Sequence, residues 1–336
     1  MAAPMIPSAG TRDFLSAHGW GGAQITPLAG DASFRRYFRV HDGARRAVLM
    51  DAPPPHEDPR PFIVIAEWLR DQGLSAPEIF ACNLDQGLLL IEDFGDARLR
   101  ETLDAAPERE GELYGAATDL LVHLHDRAPL AGLPAHELDQ WLGEVSLFTD
   151  WYCPALGLSV DGDGWAKAWR AVLAPVADDR LPRVSVLRDY HAENIMLLPE
   201  RAGVAALGLL DFQDALIGHP AYDLVSVLED ARRDVAPAVE AAMLARYTAA
   251  THADARFVRA YWTLAAQRNT RILGVFTRLW RRDGKPGYKA FQPRMWGLLE
   301  RDLAQPGLEA LADWFAANVP VEARSAAWLV GGAMAA

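Results

Sequence analysis

The stretch Val186-Leu187-Arg188-Asp189-Tyr190-His191-Ala192-Glu193-Asn194-Ile195-Met196-Leu197 decides how this chain is read, together with Leu209-Leu210-Asp211-Phe212-Gln213-Asp214-Ala215 and Gly218-His219-Pro220-Ala221-Tyr222-Asp223-Leu224. An aspartate is followed five residues later by an asparagine, then by an apolar run, a second Asp-Phe that opens a loop, and a third aspartate twelve residues beyond it. One aspartate in a loop is ordinary, because Asp and Asn favour turns and helix caps. Three at these intervals, each bounded by apolar strand-like sequence, are the residue types that phosphoryl transfer from a nucleotide requires. One carboxylate must orient the attacking hydroxyl and take its proton, and a pair of hard oxygen donors must hold Mg²⁺ against the phosphates. Asp189 fits the first role; Asn194 and Asp211 fit the second.

Upstream of this region the chain is β-rich with one helix. Ser33 to Val40 and Arg46 to Asp51 are short aromatic or β-branched runs separated by His41-Asp42-Gly43, a hairpin signal. After a proline-rich stretch, Phe62 to Arg70 has helical spacing and stops at Gly73, and Pro77 to Cys82 and Gly87 to Ile91 read as two further strands around Asn83-Leu84-Asp85. From Thr102 the character changes to Ala/Leu-rich helices over 108–127, 163–178, 236–252, 255–282 and 293–317. Strands at Val184 to Leu187 and Leu207 to Phe212 interrupt them. The plan is α+β with two lobes, a β-rich lobe over residues 1–94 and a mainly helical lobe over 95–336.

Composition narrows the function. The 336 residues carry a net charge of −12, which argues against a nucleic-acid or anionic-membrane partner, since such affinity rests on clustered Lys and Arg. Of the 33 basic residues only Lys167, Lys285 and Lys289 are lysines, so any mechanism needing a lysine in the first half of the chain is excluded. Cys82 and Cys153 form neither a disulfide framework nor a zinc motif. The N-terminus lacks an apolar core of signal-peptide length and the C-terminal AAWLVGGAMAA is too short to cross a bilayer, so a cytoplasmic protein is expected, with a monomer favoured.

The segments LRDYHAENIMLL, LLDFQDA and GHPAYDL resemble those of the aminoglycoside-phosphotransferase family, which has the protein-kinase-like fold. The resemblance implies an ATP- and Mg²⁺-dependent enzyme with a nucleotide-binding N-lobe and a C-lobe holding the catalytic loop, metal and acceptor. It implies Asp189 as catalytic base, Asn194 and Asp211 as metal ligands, and Asp223 as a buried brace for the catalytic loop. Where the family has His-Gly before the base, this chain has Leu187-Arg188, so that histidine's hydrogen bonds must come from elsewhere. Arg188 faces Asp223 or a phosphate, or ties the loop down.

The family's strand lysine, which holds the α- and β-phosphates, falls on Met50. A thioether cannot replace that cation, so either catalysis is lost or an arginine supplies the charge from another strand. Gly30-Asp31-Ala32-Ser33-Phe34-Arg35-Arg36-Tyr37 supplies candidates: Ser33 as a phosphate donor and Arg35 or Arg36 as the cation. Strand alternation sends the two arginines to opposite faces, and Arg36, partnered by Glu67, is the preferred one. Leu88 to Gly95 suits a hinge for the adenine, and the resemblance implies contacts near Glu92 and Phe94.

Within the helix over 262–282, Arg268, Arg271, Arg278 and Arg282 share one face. Lining a site, that face argues for an anionic acceptor and would repel a polycationic one. The combination GDASFRRYF, LMDAPP, LLDFQDA and QRNTRILGVFTRL resembles most the bacterial anomeric kinases of cell-wall amino sugars, which also lack the strand lysine. That implies phosphorylation of N-acetylmuramate and N-acetylglucosamine at C1, with Arg268 and Asn269 as substrate contacts and Trp151, Tyr152 and Trp262 as stacking surfaces. A kinase for aminoglycosides, choline or homoserine, and a nucleotide-binding pseudokinase, remain alternatives.

Overall fold

In the computed structural model, residues 5–28 and 34–324 are described. They divide into two compact units, one of residues 1–105 with 193–214, the other of residues 106–192 with 215–336. The first unit opens with α1 (Thr11–Ala17), β1 (Gln24–Pro27), β2 (Arg36–Asp42), β3 (Arg45–Asp51), α2 (Arg60–Asp71), β4 (Ile79–Asn83), β5 (Leu88–Ile91) and α3 (Leu99–Ala105). The chain enters the second unit through α4 (Glu110–His125), α5 (Leu138–Leu147), α6 (Cys153–Ala155), α7 (Gly162–Ala177) and β6 (Val184–Val186). It returns to the first unit for the hairpin β7 (Ile195–Leu197) and β8 (Leu207–Leu209). The second unit is completed by β9 (Leu216–Gly218), α8 (Ala221–Leu228), α9 (Pro237–Thr251), α10 (Ala255–Arg281), α11 (Gln292–Leu303), α12 (Glu309–Asn318) and α13 (Val321–Arg324).

The first unit is built on an antiparallel sheet of order β1-β2-β3-β5-β4. Period-two alternation puts Phe38 and Val40 of β2, Ala47 and Leu49 of β3, and Leu88 and Leu90 of β5 on one face, where they form a core with Phe14, Leu15 and Trp20. Met50 and Leu89 pair across β3 and β5 and are also fully buried, so the position of the family's lysine is closed, apolar interior. Gly87, at φ +68° ahead of β5, has no room for a Cβ, which would lie 1.9 Å from the Ala52 carbonyl oxygen. The β7–β8 hairpin joins this unit through main-chain bonds: Leu197 N donates to Ala97 O at 2.7 Å and Leu209 N to Ser75 O at 2.7 Å. A division of the chain at residue 94 therefore differs from the compact units, because hydrogen bonds between distant segments, not chain order, assign the hairpin.

In the second unit the 27-residue α10 packs against α5, α8 and α11. Phe257, Ala260, Tyr261, Leu264, Ala265 and Leu273 are among its buried residues, at the spacing of one helical face. The chain leaves α5 through a π-helical turn, Phe148–Tyr152. Gly274 lets α10 lie directly on that turn: a Cβ there would sit 2.4 Å from the Leu147 carbonyl. The single helix expected over 293–317 is two, α11 and α12, because Pro306 lacks an amide donor and Gly307 takes φ +94°. The sequence reading also passed over α1, β1 and α5, whose patterns are too short or too mixed to register.

Gly274→Ala forces the α10 backbone away from Leu147 and is expected to destabilise the protein by about 1–3 kcal/mol. Gly143→Ala, in α5 with open space around the new methyl, is expected to stabilise it by roughly 0.5–1 kcal/mol. Thermal unfolding midpoints of the two variants moving in opposite directions check both statements.

Candidate active site

The first unit holds Asn194 and Asp211, the oxygen pair expected from the sequence. The register of β7 with β8 pairs Ile195 with Leu209, and Leu210 N donates to Asn194 O at 2.9 Å, so the hairpin brings Asn194 beside Asp211. Asp211 takes φ +57°, a left-handed conformation that Asp tolerates better than most residues. The turn is anchored by the next residue, Phe212, which is buried and stacked on Phe62 of α2 with ring centroids 4.9 Å apart. Gln213 Nε2 donates to Asp211 Oδ1 at 2.8 Å, which orients the carboxylate. Among the described residues no cluster of three or more His, Cys, Asp and Glu side chains forms a metal cage. Mg²⁺ does not require one, since it commonly takes one or two protein oxygens and completes its shell with water and substrate phosphates. The Asn194 and Asp211 donor set fits that pattern.

Arg35, not Arg36, is the arginine directed at this pair. Arg35 Nη2 lies 3.9 Å from Asp211 Oδ1 and its Nε 3.5 Å from Glu57 Oε2. Burial works against its charge, but Tyr37, Asp211, Glu57 and Asp214 outweigh it and raise the Arg35 pKa. The preference for Arg36 is corrected: alternation turns it to the other face, where Nη2 donates to buried Asp51 at 2.8 Å and to Ser8 Oγ at 2.7 Å, and Nη1 to Ile6 O at 3.0 Å. Glu67 is exposed on α2 and does not partner Arg36, whose carboxylate is Asp51. Ser33 lies outside the described residues. Glu92 is tied by its side chain to Arg201, and its Oε2 accepts from Glu78 N at 3.3 Å. Phe94 is half-buried over β8, where a Cβ on Gly208 would meet its ring at 2.7 Å, and Arg201 covers it with its guanidinium carbon 5.3 Å from the ring centroid. Both side chains thus make their contacts within the first unit, with Arg201 between them.

The second unit holds the loop with Asp189. Asp223, fully buried in the first turn of α8, accepts from Leu187 N at 2.6 Å and Arg188 N at 2.9 Å. Burial pushes its carboxyl up to about 7, while the two amides and the charge of Arg268 act the other way. Arg188 adopts φ +73°, and Ser226 Oγ donates to its carbonyl at 3.2 Å. Its backbone, not its guanidinium, meets Asp223; the guanidinium donates to Glu144 Oε1 of α5 at 3.3 Å. Next in the loop, Asp189 N donates to Leu187 O at 2.9 Å and Tyr190 OH to Ala117 O at 2.9 Å. Ala192 N donates to Asp230 Oδ2 at 3.1 Å. His191 is buried, which lowers its pKa, and Arg232 Nη1 lies 3.2 Å from its Nε2, which must then be the acceptor.

The acceptor contacts read from the sequence require correction. Asn269 has no exposed surface; its amide donates to Glu229 at 2.5 Å and to Asp302 at 2.8 Å. Arg268 is also interior, donating to Ser226 Oγ at 2.9 Å and Glu229 O at 3.3 Å, and Asp189 is among the charges that act on it. Tyr152 is buried, with its hydroxyl donating to Ala323 O and accepting from Trp296 Nε1, and Trp262 lies beneath Arg301. Trp151 is half-buried. Arg271, one turn on, is less enclosed than Arg268. Its Nη1 donates to Tyr222 OH at 3.4 Å and its Nε lies 3.5 Å from Glu144 Oε1. Burial lowers the Arg271 pKa, but Tyr222, Glu144 and Asp189 together raise it.

Glu144 was not singled out in the sequence, and nothing local marks it. It gathers Arg188, Arg271, His136 at 3.2 Å and Gln267 at 3.0 Å around one carboxylate. Burial would raise its pKa, yet His136, Arg271 and Gln267 bring it down to about 2. Glu57, which holds Arg35, was likewise not picked out, since it lies in a proline-rich loop without periodicity.

Comparison with known proteins identifies the family. The signature of the Phosphotransferase enzyme family spans residues 24–261. The chain belongs to this family. It is 39% identical to an N-acetylmuramate/N-acetylglucosamine kinase of Caulobacter vibrioides, with 93% of this chain and 96% of that protein covered. It is 38% identical to a Pseudomonas aeruginosa protein of the same name, covering 90% of this chain and 92% of the other. Among solved structures, a choline/ethanolamine kinase family protein from Mesorhizobium loti matches with a TM-score of 0.62 at 16% identity, covering 89% of this chain and 97% of that one. An ADP-bound aminoglycoside phosphotransferase matches with a TM-score of 0.58 at 15% identity, covering 87% and 94%. The fold is therefore the α+β kinase-like fold, and the chain is a phosphotransferase enzyme. No helix among the described residues is long and apolar enough to cross a membrane.

The depressed Glu144 pKa has a signed consequence. Stability from this carboxylate is fully present above its ordinary pKa of 4.5 and is lost as pH falls toward about 2. The difference in unfolding midpoint between the wild type and Glu144→Gln is expected to shrink across that window. A difference independent of pH would contradict the ionic role.

Proposed function

We propose that this protein is an ATP-dependent sugar kinase that phosphorylates the anomeric hydroxyl of N-acetylmuramate and N-acetylglucosamine, acting in the cytoplasm in the recycling of cell-wall amino sugars. The observation that carries the reading is the 39% identity, across nearly the whole of both chains, to a relative bearing that activity in its name. The electrostatics around Asp189 support it. The charge of Asp189 is among those acting on Arg268 and Arg271 of α10, so cationic side chains belong to its surroundings, a setting suited to a neutral or anionic acceptor rather than a polycation.

In this reading Asp189 is the catalytic base: it accepts a hydrogen bond from the anomeric hydroxyl and takes its proton as the oxygen attacks the γ-phosphorus. Asp223 keeps the loop in place by holding the Leu187 and Arg188 amides, and Glu144 keeps the Arg188 side chain turned aside. Asn194 and Asp211 would hold Mg²⁺, which when bound neutralises charge on the phosphates. Arg35 replaces the missing lysine as the permanent cation toward the nucleotide phosphates. Its guanidinium stays charged when buried and can contact phosphate through two N–H groups at once. Positioning and electrostatics supply the catalysis, with no covalent enzyme intermediate.

Asp189→Asn is expected to lower kcat by roughly 10²–10⁴-fold, the usual worth of a general base, while nucleotide binding persists. Phosphorus NMR of the wild-type product should show an anomeric sugar phosphate from either sugar; phosphate on another hydroxyl, or turnover of only choline or an aminoglycoside, would refute the reading. Arg35→Ala should raise the KM for ATP or sharply lower kcat, whereas Arg36→Ala should mainly lower thermal stability through loss of the Asp51 contact. Steady-state kinetics and melting curves on the pair separate these roles.

A further inference from the structure

The residue immediately before Asp189 holds a conformation that its side chain makes unfavourable. Arg188 takes φ +73°, where glycine is relaxed and a residue with a Cβ is strained. Its contacts with Asp223 and Ser226 are made by the backbone, through an amide and a carbonyl that glycine also has. A strained residue where glycine would be relaxed points to a role for its side chain. That side chain is 27% exposed and crosses to α5, where Nη2 donates to Glu144 Oε1 at 3.3 Å.

Arg271 of α10 meets the same oxygen, with Nε 3.5 Å from Glu144 Oε1 and a side chain 15% exposed. Glu144 Oε2 is engaged separately by Gln267 at 3.0 Å and His136 at 3.2 Å, so one oxygen serves both guanidinium groups. Each guanidinium has several N–H donors, and that oxygen with the Tyr222 hydroxyl, 3.4 Å from Arg271 Nη1, uses only part of them among the described residues. Contacts tie the pair to the catalytic loop in a closed ring. Arg188 N donates to Asp223 at 2.9 Å, Tyr222 directly precedes Asp223, and Arg271 joins Tyr222 to Glu144 and so back to the Arg188 side chain. The two cations are therefore fixed to the loop that carries Asp189 and are only partly covered.

We propose that Arg188 and Arg271 together form the receptor for the carboxylate of the acceptor, the group on the lactyl ether that N-acetylmuramate has and N-acetylglucosamine lacks. This rests on the amino-sugar kinase reading above and names the residues that tell its two substrates apart. A carboxylate brings two oxygens, one for each guanidinium, and meets donors that Glu144 alone leaves short. Both arginines belong to the compact unit that carries Asp189, which takes the acceptor's proton, whereas Asn194, Asp211 and Arg35, assigned to metal and nucleotide, belong to the other. The pair thus addresses the acceptor rather than the phosphates. Glu144 offsets the repulsion between the two guanidinium groups before the sugar binds, so the receptor is preformed.

The test is steady-state kinetics of the full-length wild type, Arg188→Gly, Arg271→Gln and Arg271→Lys with each sugar, alongside melting curves. Arg188→Gly removes the side chain and relaxes the backbone, so the loop keeps its Asp223 bonds and the variant folds. In both Arg188→Gly and Arg271→Gln, the ratio of kcat/KM for N-acetylmuramate to that for N-acetylglucosamine should fall roughly ten- to a hundredfold, mainly through the KM for N-acetylmuramate. Arg271→Lys, which keeps the charge but loses the planar fork, should show a smaller fall in the same ratio. A ratio within about twofold of wild type in either Arg188→Gly or Arg271→Gln overturns the proposal and leaves the kinase reading intact. An equal fall with both sugars gives that result and marks a structural or phosphate-directed role. A folded wild type that phosphorylates neither sugar overturns the kinase reading itself, and this inference with it.

Discussion

A single buried carboxylate organises the loop that carries Asp189. Asp223 has no exposed surface, and it meets the amides of Leu187 and Arg188, the two residues immediately before Asp189. A carboxylate cannot sit in such an interior without donors, and a loop cannot run through it with unpaired amides; each resolves the other's penalty. The bonds also set the left-handed φ of Arg188, which the Ser226 hydroxyl secures from behind. The loop is therefore held from α8, and α10 brings its arginines to a carboxylate whose backbone is already placed.

The scarcity of lysine has a structural counterpart. Met50, the position to which the resemblance assigns the family's lysine, is fully buried apolar packing between β2 and β5, where a cation would leave a charge in the core. Positive charge is supplied instead by guanidinium groups held in carboxylate pairs: Arg35 with Glu57 and Asp211, Arg36 with Asp51, and Arg188 and Arg271 with Glu144. Arginine suits this use because it is always charged and its planar fork loses little freedom when paired.

Much of the fold was legible from local pattern. The hairpin of β2 and β3 and the long helices α4, α7, α9 and α10 follow from alternation, turn residues and three-to-four spacing, because their buried faces are continuous in sequence. The hairpin β7–β8 was only half visible, since its three-residue strands are recognisable only when paired. Its assignment to the first unit depends on contacts with Ser75 and Ala97, more than a hundred and close to a hundred positions away. The break between α11 and α12 was written in Pro306 and Gly307 and was passed over because helical periodicity resumes beyond it.

The site divides in the same way. Asp189, Asn194 and Asp211 were picked out by residue type and spacing and Asp223 by family resemblance; of these, the structure shows Asp223 buried and holding the Leu187 and Arg188 amides. The choice of Arg35 over Arg36, the interior position of Arg268 and Asn269, and the hub at Glu144 were decided only by tertiary structure. Neighbouring residues on an extended segment point to opposite faces, and which face carries Asp211 or Asp51 depends on partners far away in sequence. Residue type and spacing determine what chemistry the chain can perform. Burial and long-range pairing determine which of several equivalent arginines faces Asp211 and which faces Asp51.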